Sequence, residues 1–294
     1  MKLVKFLFAS PLKSFVLVVT LLSILHNGRL TAAPQSDSLG TATSDSVANA
    51  PQFDTGNDPT IVRKRLTFRN EYIRFGNGLG VNTTTLQTSF PILQEKTCKL
   101  NFGFDMPLNY YEVEQPIAAV LSGIGDMKAQ LMGIKPLGDQ VTMLFGSNIW
   151  LPTAEQQLLQ VPGIGVYTDV DLGTGKFRLE PLLGAVYFVS RKFFVVPLYA
   201  HDMSFAGKPQ SPTINRGTAR LFLNRTFEQG WYVSSETQFL INYANNNDLD
   251  TFQKFELGKA FSNGTVFYLK PGVGIAPDEF NREWGIESGI RFVF

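Results

Sequence analysis

From about residue 61 the chain alternates apolar and polar side chains in runs separated by short breaks. In the last run Phe294, Phe292, Ile290, Ser288, Ile286 and Trp284 share one side, and Val293, Arg291, Gly289, Glu287 and Gly285 the other. A period of two predicts β-strands with one face for hydrocarbon and one for water. The run from Phe177 repeats the pattern, with Phe177, Leu179, Leu183 and Tyr187 opposite Arg178, Glu180 and Gly184. Trp231, Val233, Ser235, Thr237, Phe239 and Ile241 likewise stand opposite Tyr232, Ser234, Glu236, Gln238 and Leu240.

Counting back from Phe294 places tight breaks at Ser262-Asn263-Gly264, Glu228-Gln229-Gly230, Ser190-Arg191-Lys192, 135–139 and 94–97. Longer connections fall between them, at 277–281, 244–250, 204–215, 152–175, 109–125 and 76–82. This alternation predicts an all-β fold: a transmembrane antiparallel up-and-down barrel of about 12 strands with short periplasmic turns and long extracellular loops. The strands are predicted near 66–75, 83–93, 98–108, 126–134, 140–151, 176–189, 192–203, 217–227, 231–243, 251–261, 265–276 and 283–294. The first is the least regular, because Arg69, Asn70, Glu71 and Arg74 leave no clean apolar face; residues 160–170 are its alternative. The strand ending on Phe294 is expected to be the closing strand and the end engaged by the barrel assembly machinery.

The N-terminus differs in kind. Lys2, Lys5 and Lys13 precede an apolar run from Ser14 to Leu25, too short to span a bilayer, and small residues follow at Thr31-Ala32-Ala33. That order predicts a signal peptide over 1–33. Residues 34–60, rich in Ser, Ala, Thr, Asp, Gln and Pro, read as a disordered periplasmic tail, leaving 61–294 for the barrel. Composition agrees with an outer-membrane location. Charged residues are 17%, below the ~25% of a typical soluble domain, and no apolar run after the signal is long enough for a spanning helix. The single cysteine, Cys98, excludes an intrachain disulfide. A net charge of +1 gives no sign of a nucleic-acid partner. The expected partners are outer-membrane lipid and a small-molecule solute.

Strand parity places Asp105, Asp126, Lys128, Gln130, Arg178, Glu180, Arg220, Asn224, Glu236, Lys254, Glu256, Lys270, Glu287 and Arg291 inward, with Arg291 and Glu287 one above the other. Charges of both signs predict a lumen of paired charges that sets selectivity. The longest connection carries Leu158, Leu159, Ile164 and Tyr167. Such apolar residues in water are unfavourable, so this loop is expected to fold into the mouth as a constriction. Aromatics are expected to form two girdles, Phe188, Phe193, Phe227, Trp231, Phe261, Phe292 and Phe294 near the short turns, and Tyr110, Trp150, Tyr243 and Trp284 toward the long loops.

Candidate chemistry is sparse. His201 is the one histidine after the signal, and its neighbour Asp202 lies on the opposite face of a strand, so the two do not form a base and orienter. One His and one Cys far apart do not make a metal site. Asp248 and Asp250 read as a solvated turn. These patterns point away from an enzyme and require no cofactor. The alternatives are a non-conducting surface or adhesion barrel that binds through its loops, and an outer-membrane hydrolase built on His201.

Several segments resemble the outer-membrane channels grouped with the phenol-degradation MetA-pathway proteins. They are Gly123-Ile124-Gly125-Asp126-Met127, Trp150-Leu151-Pro152-Thr153-Ala154, Met203-Ser204-Phe205-Ala206-Gly207, Glu228-Gln229-Gly230-Trp231-Tyr232, Leu257-Gly258-Lys259-Ala260-Phe261 and the closing stretch from Trp284. Ala154 stands where the family often has glycine. The resemblance implies a barrel that passes small, often hydrophobic or aromatic, molecules; it brings no substrate residues with it.

Overall fold

The computed structural model describes residues 54–113, 119–160, 167–275 and 282–294. The strands are β1 (Arg65–Phe75), β2 (Leu79–Gln94), β3 (Lys99–Val113), β4 (Ala119–Ile124), β5 (Met127–Pro136), β6 (Val141–Leu151), β7 (Gln156–Gln160), β8 (Tyr167–Asp171), β9 (Lys176–Ser190), β10 (Phe193–Gly207), β11 (Asn215–Thr226), β12 (Trp231–Asn242), β13 (Asp248–Ala260), β14 (Thr265–Gly274) and β15 (Arg282–Val293). Each wall strand pairs antiparallel with its neighbour. β1 pairs with both β2 and β15, Arg69 standing beside Thr85 on one side and Gly289 on the other, so the sheet closes. β4 and β5 lie end to end along β3, broken at Gly125-Asp126, and together make one of the 12 strands of the wall. Closure gives every strand two partners, the condition for a sheet to stand in hydrocarbon.

Period two separates the two surfaces throughout. Outward stand Phe90, Leu131, Leu183, Tyr199, Leu221, Phe239, Leu257, Phe267 and Ile286, all exposed; inward stand Asp105, Asn148, Arg178, Glu180, Asn224, Glu256 and Glu287, all buried. The irregular first strand belongs to the wall. Arg69 and Glu71 point inward, and outward-facing Asn70 donates to Asn82 Oδ1 at 2.5 Å and Thr84 Oγ1 at 2.9 Å. Outward polar groups on β12 and β13 pair in the same way, Gln253 donating to Ser235 Oγ at 2.8 Å and accepting from Thr237 at 2.5 Å. Among the described residues of 160–170 none joins the wall; β8 pairs only with β7, as a separate hairpin.

Three expectations need correction. The connection predicted over 76–82 is a three-residue turn, because β2 begins at Leu79 with Gly78 at φ 86°. The predicted loop over 109–125 is largely strand, β3 running on to Val113 to meet β4. Two aromatics assigned to the girdles point into the barrel: Phe188 packs beside Phe194 with ring centroids 5.9 Å apart, and Trp150 lies between Arg178 and Lys128. Both occupy inward parity, which overrides nearness to a turn. Phe227, Trp231, Phe261 and Phe294 at one end and Tyr110, Tyr243 and Trp284 at the other are exposed.

Residues 54–64, the described chain before β1, are not separate from the barrel. Residues 54–60, assigned by composition to the tail, continue through Lys64 against the inner wall. Val62 packs with inward Ile134, Leu144, Val186, Phe194 and Val196 in one buried cluster. Hydrogen bonding and this apolar contact hold a stretch whose own residues offer little to bury. The rest of the predicted signal and tail lies outside the described residues.

Candidate functional site

The inner wall carries two charge networks. On the half formed by β12–β15 and β1, Lys254 Nζ bridges Glu71 and Glu287, the latter at 3.4 Å. Lys270 Nζ lies 2.8 Å from Glu236 and 3.7 Å from Glu256. Tyr232 donates to Glu256 Oε1 at 2.7 Å and Tyr268 to Glu287 Oε1 at 3.0 Å. Both tyrosine rings lie flat over cross-strand glycines, Gly258 and Gly289, where a Cβ would overlap the ring. The tyrosines thereby hold the carboxylates against the wall without filling the lumen.

The other half carries its own pairs. Lys128 Nζ sits 2.8 Å from Asp105, which also accepts from Gln87 at 2.9 Å. Asn148 donates to Glu180 Oε2 at 2.6 Å. Arg178 and Arg216 each reach Asp202 Oδ2 at 2.7 Å, and the Arg178 guanidinium stacks 4.2 Å from the centre of the Trp150 ring. Removing one member of a buried pair leaves a desolvated charge, a cost of about 3–5 kcal/mol. These pairs are therefore parts of the wall as well as of its electrostatics. Arg220 differs. It is exposed on the lumen face, with no ion pair among the described residues.

Toward the end with the longer connections, expected to be extracellular, Asp126 has a different task from the rest of the predicted lumen set. At the β4–β5 break its Oδ2 accepts from Thr174 N and Thr174 Oγ1, both at 2.7 Å, and its Oδ1 from Ala154 N at 3.4 Å. Gly173 passes so close that a Cβ there would overlap the Asp126 carboxylate. Thr153 Oγ1 accepts from Met127 N at 2.9 Å and donates to Gly125 O at 3.1 Å. The Gly123–Met127 and Trp150–Ala154 segments, far apart in sequence, are thus one structural unit. It clamps the stem of the β7–β8 hairpin. From the opposite side, inward Asn109 and Tyr111 donate to Leu172 O at 2.8 and 3.1 Å, and Leu172 is fully buried. The stem therefore leans over the mouth. Ile164 and the side chains of Leu158, Leu159 and Tyr167 lie outside the described residues.

Toward the end with the short turns, expected to be periplasmic, the Asp54–Lys64 segment is held by inward groups. Arg291 Nη1 donates to Thr55 O at 2.5 Å and Asn57 Oδ1 at 3.0 Å. Asn57 Nδ2 donates to Glu256 Oε1 at 3.0 Å and Asn224 Oδ1 at 3.4 Å. Arg65 reaches Gly56 O at 2.7 Å and Ile61 O at 2.9 Å, and Lys99 reaches Thr60 O at 2.9 Å. Arg291 and Glu287 do share the inward face, but Arg291 serves this segment, while Glu287 serves Lys254 and Tyr268. Parity counting extended to β1, β10 and β11 was the available signal for Glu71, Asp202 and Arg216. No pattern in the sequence marks 54–64 as a lumen segment, since its anchors are mostly backbone carbonyls.

His201 faces outward, its Nδ1 3.1 Å from Tyr199 Oη and its ring stacked 5.7 Å from Tyr243, whereas Asp202 faces inward. The two point to opposite faces, as strand geometry requires. Asp250 is bound by Arg282 Nε at 2.6 Å and belongs to the lumen wall.

No family model matches the chain, and no curated protein matches it in sequence. Solved structures do match its fold. A COG4313 outer membrane channel from Pseudomonas putida F1 aligns over 83% of this chain and 100% of its own, with TM-score 0.66 and 12% identity. The NanC porin aligns over 77% of this chain and 98% of its own, with TM-score 0.52 and 12% identity. The β domain of the Bordetella autotransporter BrkA aligns over 79% and 99%, with TM-score 0.53 and 12% identity. The closed barrel, its apolar outer surface and these likenesses place the protein in the bacterial outer membrane, with the architecture of channel and porin barrels.

Proposed function

We propose that the protein is an outer-membrane channel through which small molecules, hydrophobic or aromatic in kind, diffuse passively without catalysis. The supporting observation is the direction of the wall ion pairs. They join strands near one another around the circumference, the widest being Lys254 on β13 with Glu71 on β1, across β14 and β15. Charges paired along a wall neutralise it while leaving the axis free. The hydrophobic or aromatic solute rests on the resemblance to the MetA-pathway channels, two of whose segments, Gly123–Met127 and Trp150–Ala154, meet in this barrel.

In this reading residues 1–33 export the chain, and the paired lumen charges with exposed Arg220 set a weak field along the path. The hairpin whose stem Asp126 clamps narrows the mouth in this reading. Reconstitution in planar bilayers and liposome swelling test the function. Wild type is expected to give a small ohmic conductance and to admit small uncharged solutes. Deleting 155–163 should raise the exclusion limit. If neither wild type nor a variant lacking residues 54–60 conducts or admits solutes, the barrel is a non-conducting surface protein instead.

A further inference from the structure

Beside the Asp54–Lys64 segment the lumen opens into a cavity of about 230 Å³ bounded by β1, β2, β3, β5 and β15. Its lining is asymmetric. Arg65 and Arg291 stand on one side, Val62, Met132 and Ile134 form an apolar part, and Asn101 lies among neutral polar residues. Among the described residues no Asp or Glu lines it, the nearest carboxylates acting on Arg65 being those of Asp54 and Asp58 in the neighbouring segment, in contrast to the lumen above, where carboxylates meet cations directly. Two hydrogen-bonding atoms here are buried without a partner: Arg65 Nε, whose Nη1 and Nη2 are engaged by Gly56 O and Ile61 O, and Asn101 Oδ1. A buried donor of this kind normally finds an acceptor.

We propose that this cavity is a binding site for a small organic monoanion, a carboxylate on an apolar body. The carboxylate meets the Arg291 guanidinium, with the Arg65 charge beside it, and the body packs on Val62, Met132 and Ile134. At ~30 Å³ per water, the volume equals that of about eight waters, suited to an acid of about nine non-hydrogen atoms. The Arg291 guanidinium, with the Arg65 charge beside it and no competing carboxylate in the lining, gives charge-assisted hydrogen bonds that a neutral isostere does not receive. The site names the solute class for the channel reading and rests on that reading. It lies next to the segment held by the same two arginines, so an acid bound there occupies the last step before the periplasm.

The test is calorimetric titration of the full mature protein in nonionic detergent with cyclohexanecarboxylate, cyclohexanecarboxamide and acetate. Wild type is expected to bind the carboxylate about tenfold or more tightly than the carboxamide, the difference between a charged and a neutral hydrogen-bond partner. It should bind acetate, which lacks the apolar body, more weakly as well. Asn101→Asp places a carboxylate in the cavity without touching the carbonyls that Arg65 and Arg291 hold. It should abolish cyclohexanecarboxylate binding and spare the carboxamide. Lys96→Gln, which removes a charge from an exposed periplasmic turn, should change neither. Equal binding of carboxylate and carboxamide, equal binding of acetate, or undiminished carboxylate binding by Asn101→Asp overturns the site. Conductance of the same preparations separates the two ideas. A conducting barrel without carboxylate binding removes this site and keeps the channel; carboxylate binding by a barrel that never conducts keeps the site and removes the channel.

Discussion

Different segments are held against the inner wall at the two ends of the lumen. At the extracellular end the β7–β8 hairpin is a connection between β6 and β9, continuous with the wall at both of its ends. One carboxylate, Asp126, and two side-chain donors, Asn109 and Tyr111, fix its stem. At the periplasmic end Asp54–Lys64 is joined to the wall within the described residues only through β1, and its grip is a set of cationic and amide donors on backbone carbonyls. Hydrogen bonds of this kind are each worth ~0.5–1.5 kcal/mol net, more where a charge takes part. A segment tethered on one side can leave as a unit when a few of them fail. A loop tethered on both sides only shifts. In the proposed channel, opening is therefore expected at the end held by Asp54–Lys64, and size selection at the end carrying the β7–β8 hairpin.

The largest effect follows from removing the periplasmic closure outright. Deleting residues 54–60 takes away Thr55, Gly56 and Asn57 while β1 and Val62 remain. Single-channel conductance in planar bilayers should rise several-fold, and the liposome exclusion limit with it. An unchanged conductance would make the two ends equivalent and place the constriction in the mouth alone. Arg291→Gln is the graded form of the same change. It removes a charged donor from Thr55 O and Asn57 Oδ1, a loss of about 1.5–3 kcal/mol, and should shift the segment's release by roughly tenfold or more. The readout is the frequency of full openings, with heat-modifiable mobility on gels to verify an intact barrel.

This asymmetry was only half legible beforehand. The wall was readable because a lipid-facing strand states its register in its own side chains: Phe294, Phe292 and Ile290 set the parity that put Glu287 and Arg291 inside. The pairing of Lys128 with Asp105 follows from that parity and adjacency; that of Lys270 with Glu236, which reaches across β13, follows from parity alone. The closures were less readable. Asp126 has inward parity like the others, but it sits at a break, and the backbone donors of Ala154 and Thr174 that it accepts from leave no mark in side-chain chemistry. The N-terminal segment is more obscure still. It reads as a polar tail because its anchors Thr55 O, Gly56 O and Thr60 O are backbone atoms, and its single buried apolar residue, Val62, makes no pattern. Trp150 and Phe188 show the opposite case: both lie near a membrane boundary, and strand parity, not that proximity, turns them into the barrel.

A smaller effect is expected at the mouth. Asp126→Asn keeps an acceptor but gives up the charge that receives both Thr174 N and Thr174 Oγ1, a change of about 1–2 kcal/mol. Because the hairpin stays joined to β6 and β9, mean conductance should alter little. Current noise in the open channel should increase, and protease cleavage within 155–175 in intact proteoliposomes should quicken. If Asp126→Asn instead opens the pore as fully as deletion of 54–60, the mouth is the gate and the contrast between the ends is reversed.

The smallest expected effect isolates the apolar contribution at the periplasmic end. Val62 is the one residue of the segment packed in the cluster with Ile134, Leu144, Val186, Phe194 and Val196. Val62→Ala removes two carbons from that contact, worth ~1.6 kcal/mol at ~0.8 kcal/mol per buried carbon group, and leaves every hydrogen bond of Thr55, Gly56 and Asn57 in place. Openings should become more frequent, by less than in Arg291→Gln, with the same open-state conductance. The double variant then tests whether Val62 and Arg291 hold one body. If the segment releases as a unit, each substitution weakens the same closed state and their effects on opening multiply. If Arg291→Gln frees only the stretch around Thr55 while Val62 stays seated, a sub-conductance level appears in Arg291→Gln alone, and adding Val62→Ala converts it to the full level. Either result fixes where along 54–64 the closure breaks, which the wall strands, identical in both variants, do not decide.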